Sequence, residues 1–170
     1  GKIMVMTDQD QDGSHIKGLI LNLFHTMWPS LIEMNYITSM ITPIIKISKG
    51  KMNHKFYNMT DYRNWSEKNQ VSKWKVKYYK GLGTSNSQEA QEYFKELKMN
   101  QYIYTDDSNK SMELAFRKSN ADDRKGWLYN YDPEKIVKES ETNIKIEDFI
   151  HKELIHFSNS DTLRSIGSVY

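Results

Sequence analysis

A short apolar segment, an acidic turn and an amphipathic helix follow one another at the start of the chain. The apolar segment covers residues 2–7, and the turn reads Asp8-Gln9-Asp10-Gln11-Asp12-Gly13. Apolar residues then recur at the i, i+3, i+4 and i+7 spacing of one helix face, namely Ile16, Leu19, Ile20, Leu23, Phe24 and Met27. Open α/β sheets place ligands at the carboxyl ends of their strands, where such turns lie. The pattern therefore predicts an α/β fold with a candidate site in the acidic turn.

A second strand, loop and helix are predicted in the middle of the chain. Alternation with lysines indicates a half-buried strand at Trp74, Val76 and Tyr78. The strand leads into the loop Lys80-Gly81-Leu82-Gly83-Thr84-Ser85. Ser85 and Gln88 are predicted to form a capping box at the start of the next helix. That helix has an apolar face made of Ala90, Tyr93, Phe94 and Leu97.

The other elements are predicted from shorter patterns. Two strands are expected at 41–48 and 56–59, joined by a turn at 49–51, with a short helix from Thr60 to Trp65. A brief strand and a brief helix are expected at 102–104 and 112–116, before a polar connector that contains local helix near Trp127. Apolar periodicity returns at Ile146, Phe149, Ile150, Leu154 and Phe157. This last helix is predicted to end before Ser158 and to open a second domain.

Composition excludes several classes of protein. The chain has 170 residues, of which 27% are charged and 38% apolar, so a folded globular protein is expected. The absence of cysteine excludes a disulfide framework and a thiolate metal site. The longest apolar-rich stretch, residues 19–28, is too short for a membrane span. A net charge of +2 does not by itself indicate nucleic-acid binding. The N-terminus lacks a secretory signal pattern and is interpreted as a cut inside a domain.

Three aspartates in the acidic turn concentrate negative charge, which is costly unless a cation or strong hydrogen-bond donors compensate it. Carboxylate oxygens suit Mg²⁺, which takes one or two protein carboxylates and leaves room for a phosphate oxygen. The turn matches only the start of a calcium EF-hand loop. Its ninth and twelfth positions would be Ile16 and Leu19, and the preceding residues predict a strand where a helix is required. A solvated acidic loop without a bound ion stays an alternative.

The remaining candidate residues carry weaker signals. The glycine-rich loop is not a Walker loop. Its glycines and the helix that follows nevertheless suit contact with a phosphate backbone. An ordinary strand-to-helix turn is the alternative. Arg124 and Lys125 are candidates for DNA phosphate contact or for a solvated basic pair. His15 is a candidate phosphate contact, an orienting group for an aspartate, or a plain helix-start residue. Phe24 and Met27 are expected in the core, and Tyr78 and Tyr79 in packing positions. His151 and His156 are expected at surface or packing positions.

The acidic turn and five later blocks resemble one known family. Residues 7–19 look like the second half of the TOPRIM signature of eukaryotic-type type IIA DNA topoisomerases. The later blocks resemble that family in the same order and over nearly the whole chain: Trp28-Pro29-Ser30-Leu31, Ile41-Thr42-Pro43-Ile44, residues 74–85, Asp122-Asp123-Arg124-Lys125-Gly126-Trp127-Leu128 and Phe157-Ser158-Asn159-Ser160-Asp161.

The resemblance implies a division of the chain and a set of roles. It implies a partial TOPRIM (Rossmann-like) fold over 1–118 with an inserted hairpin and short helix, a connector over 119–145, and the first helix of a winged-helix breakage-rejoining domain over 146–170. Asp8 and Asp10 would be the main metal ligands and catalytic residues, and Asp12 would act on the metal through a water. DNA contacts would come from Lys80, Gly81, Arg124 and Lys125, with support from His15 and Lys17. The nucleophilic tyrosine and an upstream glutamate would lie outside this chain.

The resemblance also implies the activity of a parent enzyme. That enzyme would relax and decatenate double-stranded DNA through a transient double-strand break, as a homodimer that hydrolyses ATP bound outside this chain. Its metal would be Mg²⁺, with Mn²⁺ or Ca²⁺ able to replace it in binding. Its location would be the nucleus, or viral and host cytoplasm for a viral source, with no membrane association, and the isolated fragment would be inactive. Alternatives are another TOPRIM nuclease or primase, or a non-catalytic metal- or DNA-binding module.

Overall fold

The computed structural model describes residues 1–79 and 81–167. The strands are β1 (Ile3–Val5), β2 (Ile37–Met40), β3 (Ile45–Lys49), β4 (Met52–Phe56), β5 (Lys75–Tyr78), β6 (Met99–Ile103) and β7 (Asn143–Lys145). The helices are α1 (Gln11–Met27), α2 (Pro29–Glu33), α3 (Met59–Lys68), α4 (Ser87–Lys95), α5 (Ser108–Phe116), α6 (Ala121–Tyr129), α7 (Ile146–Phe149) and α8 (Ile155–Gly167). A π-helical turn, Ile150–Leu154, joins α7 to α8. The predicted α/β class is confirmed.

Two sheets organise the strands. The main sheet has the order β1-β2-β6-β7, in which β1 pairs with β2 and β6 with β7 in parallel, while β2 and β6 are antiparallel. The second sheet has the order β4-β3-β5 and is antiparallel throughout. Gly50 has a φ of 59° at the turn between β3 and β4, a conformation that favours glycine. The predicted hairpin is therefore confirmed.

Each sheet has its own hydrophobic core. The main core joins the main sheet to α1, α5 and the C-terminal helices through Val5, Leu21, Ile32, Ile37, Tyr102, Met112, Ile144, Ile146, Phe149, Ile150 and Leu154. The second core is smaller and aromatic, and it consists of Ile45, Ile47, Phe56 and Tyr62 with Trp65 and Trp74 packed against them. Burial of large side chains in both cores supplies the main driving force for folding.

Helix α1 turns a different face to the core than its apolar spacing predicts. Its buried residues are Gly13, Ser14, Lys17, Gly18 and Leu21, whereas Ile16, Leu19 and Leu23 are about half exposed. A Cβ on Gly18 would lie 3.1 Å from side-chain atoms of both Leu154 and Phe116, so this glycine permits close packing on the π turn. Phe24 packs partly buried on the main core. The assignment of Met27 to the core is wrong, because this side chain is 59% exposed.

Several predicted boundaries change in the middle of the chain. The predicted strand at 41–48 is wrong in part, because the strand β3 begins only at Ile45. Residues 41–44 connect β2, which ends at Met40 in the main sheet, to β3 in the second sheet. The strand predicted at 56–59 ends at Phe56, and α3 is capped by Asn58 rather than Thr60. The capping box of α4 lies one residue later than predicted, because Asn86 and Glu89 form it.

The C-terminal part of the chain joins the main sheet. Strand β7 pairs with β6, and the segment from α7 to α8 packs against α1. The prediction that the last helix ends before Ser158 is wrong. Helix α8 continues to Gly167, and within it the hydroxyl groups of Thr162 and Ser165 bond to the carbonyls of Ser158 and Asp161, four residues earlier. The division at 118 and 145 stays a prediction. Among the described residues, no helix has the length and apolarity to cross a bilayer.

Candidate metal centre

The acidic turn connects the buried end of β1 to the start of α1. Asp10 is the N-cap of α1, and its Oδ1 accepts a hydrogen bond of 2.7 Å from the backbone N–H of Gly13. A Cβ on Gly13 would overlap the carbonyl oxygen of Asp8, so the turn can fold this tightly only with glycine at that position. The local sequence thus places Asp8 and Asp10 at the positive end of the α1 dipole, which favours negative groups.

The three aspartates have different partners in the structure. Asp8 accepts a 2.7 Å hydrogen bond from the backbone N–H of Leu82, and Asp10 caps its own helix. Asp12 lies 3.6 Å from the guanidinium of Arg164 on α8. All three side chains are exposed. Within residues 1–79 and 81–167, no three acidic, histidine or cysteine side chains converge in a ready-made metal cluster. Asp8 and Asp10 flank the turn, whereas Asp12 points to a neighbouring helix.

The glycine-rich loop lies directly against Asp8. A Cβ on Gly81 would be 2.5–2.7 Å from the Asp8 carboxylate, and the next residue, Leu82, donates its N–H to that carboxylate. This contact joins residues 74 positions apart and has no local signal in the sequence. It brings Gly81 beside the acidic turn. Lys80, the other candidate in this loop, lies outside the described residues.

A buried carboxylate that the sequence reading missed holds both ends of this loop. Glu89 is 8% exposed and accepts hydrogen bonds of 2.8 Å from Lys77 Nζ, 2.6 Å from the Tyr79 hydroxyl and 3.0 Å from the Asn86 N–H. Burial raises the pKa of Glu89, but these donors outweigh burial and lower the pKa to about 2. Burial and the bond to Glu89 raise the pKa of Tyr79. The capping-box spacing Asn86 to Glu89 was the available signal.

A buried ion pair lies beneath the turn. Lys17 is 5% exposed and pairs with Glu153 of the π turn, and the Ser14 hydroxyl donates to the same carboxylate at 2.8 Å. Burial lowers the pKa of Lys17, but the attraction of Glu153 outweighs it and raises the pKa above the usual lysine value. Lys17 therefore stays charged. Its ammonium group is paired with Glu153, so Lys17 supports the turn through that residue.

The other sequence candidates lie farther along the C-terminal elements. His15 stacks on Phe157 of α8, with ring centroids 4.0 Å apart. Arg124 donates to the backbone carbonyls of Leu114 and Arg117 at 3.1 and 2.7 Å, and so closes the C-terminal end of α5. Lys125 is exposed and pairs with Asp122 at 2.7 Å. Of this basic pair, Lys125 is exposed, whereas Arg124 is partly buried.

The remaining histidines and tyrosines serve in packing. His151 Nδ1 accepts the indole N–H of Trp127 at 3.0 Å, and burial lowers the pKa of His151. His156 bonds to the Tyr131 hydroxyl at 2.8 Å. Tyr78 contacts Tyr62 of the aromatic core edge to face. These contacts confirm packing roles for His151 and His156, whereas Tyr78 contacts Tyr62 but is 56% exposed.

The donors in the acidic turn suit a hard divalent cation. Asp8 and Asp10 each use one carboxylate oxygen in a bond to a backbone N–H, and two carboxylates completed by water are what Mg²⁺ usually takes from a protein. The Gly81 backbone provides a surface without a side chain next to Asp8, where a Cβ would fill the space. The residues present therefore fit such an ion.

Known proteins match the chain over nearly its whole length. The family model described as the C-terminal associated domain of TOPRIM matches residues 40–162, downstream of the acidic turn. DNA topoisomerase 2-alpha of Homo sapiens is 46% identical over 99% of this chain and 12% of its own length. DNA topoisomerase 2 of Plasmodium falciparum is 42% identical over the same shares.

A solved structure agrees with these sequence matches. The crystal structure of the Plasmodium falciparum topoisomerase II DNA-binding, cleavage and re-ligation domain superposes with a TM-score of 0.90 and 42% identity, over 95% of this chain and 23% of that one. The chain spans about 12% of the length of the curated relatives it matches. The resemblance drawn from the sequence blocks is thereby confirmed: the chain belongs to the family of the C-terminal associated domain of TOPRIM and is similar to a segment of DNA topoisomerase 2.

Proposed function

We propose that this chain supplies the metal-binding aspartates and part of the DNA-backbone surface of an ATP-dependent type IIA DNA topoisomerase. The observation that carries this proposal is the contact between two distant segments, in which the Gly81–Leu82 backbone lies on the carboxylate of Asp8 at the end of β1. A strand-end carboxylate beside an open glycine backbone suits a metal ion next to a phosphate. The identity to proteins named DNA topoisomerase 2 supports the reaction class.

Asp8 and Asp10 would hold a Mg²⁺ ion, and Asp12 would act on it through a water. Mn²⁺ or Ca²⁺ would replace Mg²⁺ in binding. When bound, the cation offsets the negative charge that builds on the oxygens of a phosphodiester under attack. The protein's part is to orient the carboxylates. Capping of α1 by Asp10 and the Leu82 N–H on Asp8 hold the two side chains at the turn before any ion binds.

Contacts to the DNA backbone would come from two places. The Gly81 segment presents open backbone beside the aspartates, with Lys80 as a sequence candidate next to it, and Lys125 presents an exposed ammonium group on α6. Arg124 Nη1 donates to the carbonyls of Leu114 and Arg117, so this guanidinium is held at the end of α5 and has less freedom than Lys125 to move to a phosphate. We therefore assign it a smaller share of DNA affinity than Lys125. Such phosphate contacts position the duplex without reading its sequence.

Other parts of the reaction would lie elsewhere in the parent protein. These are the attacking tyrosine, a further glutamate ligand, the ATP-hydrolysing domain and the homodimer contacts. The enzyme would relax and decatenate double-stranded DNA in the nucleus, or in viral and host cytoplasm for a viral source. On this proposal the isolated chain lacks turnover, because it supplies only part of the metal centre.

The test is supercoil relaxation by the full-length parent enzyme that carries Asp8→Asn with Asp10→Asn. We expect relaxation to fall at least 100-fold, because both carboxylates that hold the ion lose their charge. The matched control is Asp106→Asn, an exposed aspartate after β6, which should relax DNA at the wild-type rate. Unchanged relaxation by the double variant would rule out the catalytic role. Nicking of DNA by the wild-type protein without a covalent protein–DNA adduct would instead favour a TOPRIM nuclease.

A further inference from the structure

A hydrogen bond joins the glycine-rich loop to the acidic turn. The loop begins where β5 ends at Tyr78 and finishes where α4 begins at Ser87, and between these points the Leu82 N–H donates to Asp8 Oδ1 at 2.7 Å. A bond between a surface loop and an exposed carboxylate is lost when the loop moves. The position of Leu82 on Asp8 therefore depends on the groups that fix the two ends of the loop.

The carboxylate of Glu89 binds both ends of this loop. On the near side, Lys77 Nζ lies 2.8 Å from each carboxylate oxygen, and the Tyr79 hydroxyl donates to Oε1 at 2.6 Å. On the far side, the Asn86 N–H donates to Oε2 at 3.0 Å. Glu89 is buried, and bonds to a charged group are the strong class of protein hydrogen bonds. This one side chain therefore fixes where the loop leaves β5 and where it enters α4.

Two further glutamates of α4 make weaker contacts with the second sheet. Glu92 lies 3.8 Å from Lys46 and 3.5 Å from Lys55, and Glu96 lies 3.9 Å from Lys55. The side chains of Glu92 and Glu96 are 38% and 82% exposed, and exposed ion pairs contribute little to stability. Both lysines lie on β3 and β4, which do not lead into the loop. Of these three glutamates, Glu89 is the one that controls the loop.

We propose that Glu89 is a positioning residue of the metal centre. By binding the segments before and after the glycine-rich loop, it holds the Leu82 N–H on Asp8 and so orients the Asp8 carboxylate for a divalent cation. This inference rests on the proposed function, in which Asp8 is a metal ligand. It adds to that function a residue that contacts neither the ion nor the DNA.

The expected effect is a change in metal affinity. The bond from Leu82 uses Oδ1 of Asp8, and Oδ2 lies beside Gly81. A carboxylate that is already oriented loses less freedom when an ion binds. Groups that orient metal ligands typically contribute about 10- to 100-fold to metal affinity. Because Glu89 acts through the loop, we expect loss of its charge to weaken the affinity by about threefold to tenfold.

The first test measures the loop without any metal. Hydrogen exchange with mass spectrometry on the full-length parent enzyme, free of divalent cations, should show at least threefold faster exchange of the peptide over residues 81–86 in Glu89→Gln. A peptide from the middle of α1, residues 19–24, reports any global loss of stability and should exchange at the wild-type rate. Glu92→Gln is the matched control on the same helix and should change neither peptide. Unchanged exchange of the loop in folded Glu89→Gln would overturn the proposal.

The second test is the Mg²⁺ dependence of DNA cleavage by the same enzyme. In Glu89→Gln the half-saturating Mg²⁺ concentration should rise at least threefold, while DNA affinity without divalent cation stays within twofold of wild type. The control for stability is Glu147→Gln, at a carboxylate that accepts bonds from Thr105 and Ser108 at 2.8 and 3.1 Å away from the loop. It should keep the wild-type half-saturation. An unchanged value in Glu89→Gln, or an equal rise in Glu147→Gln, would contradict the role.

Further variants separate this role from the proposed function. If Glu89→Gln does not fold, Tyr79→Phe decides, because it removes one bond to Glu89 and should raise the half-saturating Mg²⁺ concentration in the same direction. Unchanged relaxation by the Asp8→Asn, Asp10→Asn double variant would overturn the proposed function and this inference together. Loss of relaxation in that variant, with wild-type Mg²⁺ dependence in Glu89→Gln, would overturn the role of Glu89 alone.

Discussion

Gly81 is the residue at which the glycine-rich loop lies closest to the acidic turn. A Cβ at this position would be 2.5 Å from the Asp8 carboxylate, whereas a Cβ on Gly83 would meet nothing within 4 Å. Gly81→Ala must therefore displace the loop or the aspartate, and we expect it to lower the free energy of unfolding by about 1–3 kcal/mol. Gly83→Ala should change it by less than about 0.5 kcal/mol. Urea denaturation of both variants measures the difference, and equal effects would argue against the contact with Asp8.

Glu89 makes a pH-dependent contribution to stability. Its pKa is lowered from 4.5 to about 2, so the folded protein keeps this carboxylate charged where the unfolded chain binds a proton. The contribution is therefore complete above pH 4.5 and is lost as the pH falls toward 2. Because Glu89→Gln removes the charge that Lys77 and Tyr79 bind, we expect it to cost about 1.5–3 kcal/mol at pH 7.

Denaturation of wild type and Glu89→Gln from pH 7 to pH 3 checks this sign. The difference in unfolding free energy should shrink below pH 4.5. Glu67→Gln, an exposed glutamate on α3, serves as the control and should show no difference at any pH. A constant gap between wild type and Glu89→Gln across this range would contradict the account of the Glu89 cluster.

At the scale of elements, local sequence patterns predicted the presence of the helices well. They predicted less well which side of each helix faces the core. Pro29 marked the end of α1, since it begins α2. The N-cap was not predicted, because it is Asp10 rather than Asp12 or Ser14. The apolar spacing predicted that Ile16, Leu19 and Leu23 face the core, but these side chains are about half exposed. The buried side depends on Gly18 and Lys17, which contact Leu154 and Glu153 from the far end of the chain.

The packing of α1 on the π turn predicts opposite effects of leucine at two helical glycines. At Gly18 a Cβ would already lie 3.1 Å from Leu154 and Phe116, so Gly18→Leu should destabilise the fold by about 1–3 kcal/mol. At Gly126 in α6 a Cβ would meet nothing within 4 Å, so Gly126→Leu should stabilise it by up to about 1 kcal/mol. Thermal unfolding of the two variants gives the signs, and a stabilising Gly18→Leu would disprove the tight packing.

At the scale of the whole molecule, the acidic turn could be predicted from sequence but its surroundings could not. Asp8 and Asp10 stand out by spacing and by the strand and helix that flank them. The approach of Leu82 to Asp8 across 74 residues, and the joining of β7 to the main sheet, depend on sheet topology. The role of Glu89 was hidden for the same reason, since its partners Lys77 and Tyr79 lie on another element.

We propose that Asp8 binds the divalent ion of a DNA-cleaving enzyme, and a change of metal preference tests this role most directly. The measurement is DNA cleavage by full-length Asp8→Cys in Mg²⁺ and in Mn²⁺, with Asp106→Cys as the control. A thiolate is a poor ligand for Mg²⁺, and Mn²⁺, although it also prefers oxygen ligands, accepts sulfur more readily than Mg²⁺ does. We predict at least a 100-fold loss of cleavage in Mg²⁺ and at least a tenfold recovery in Mn²⁺, with no change in the control. Full cleavage by Asp8→Cys in Mg²⁺, or an equal loss in both metals, would contradict the account.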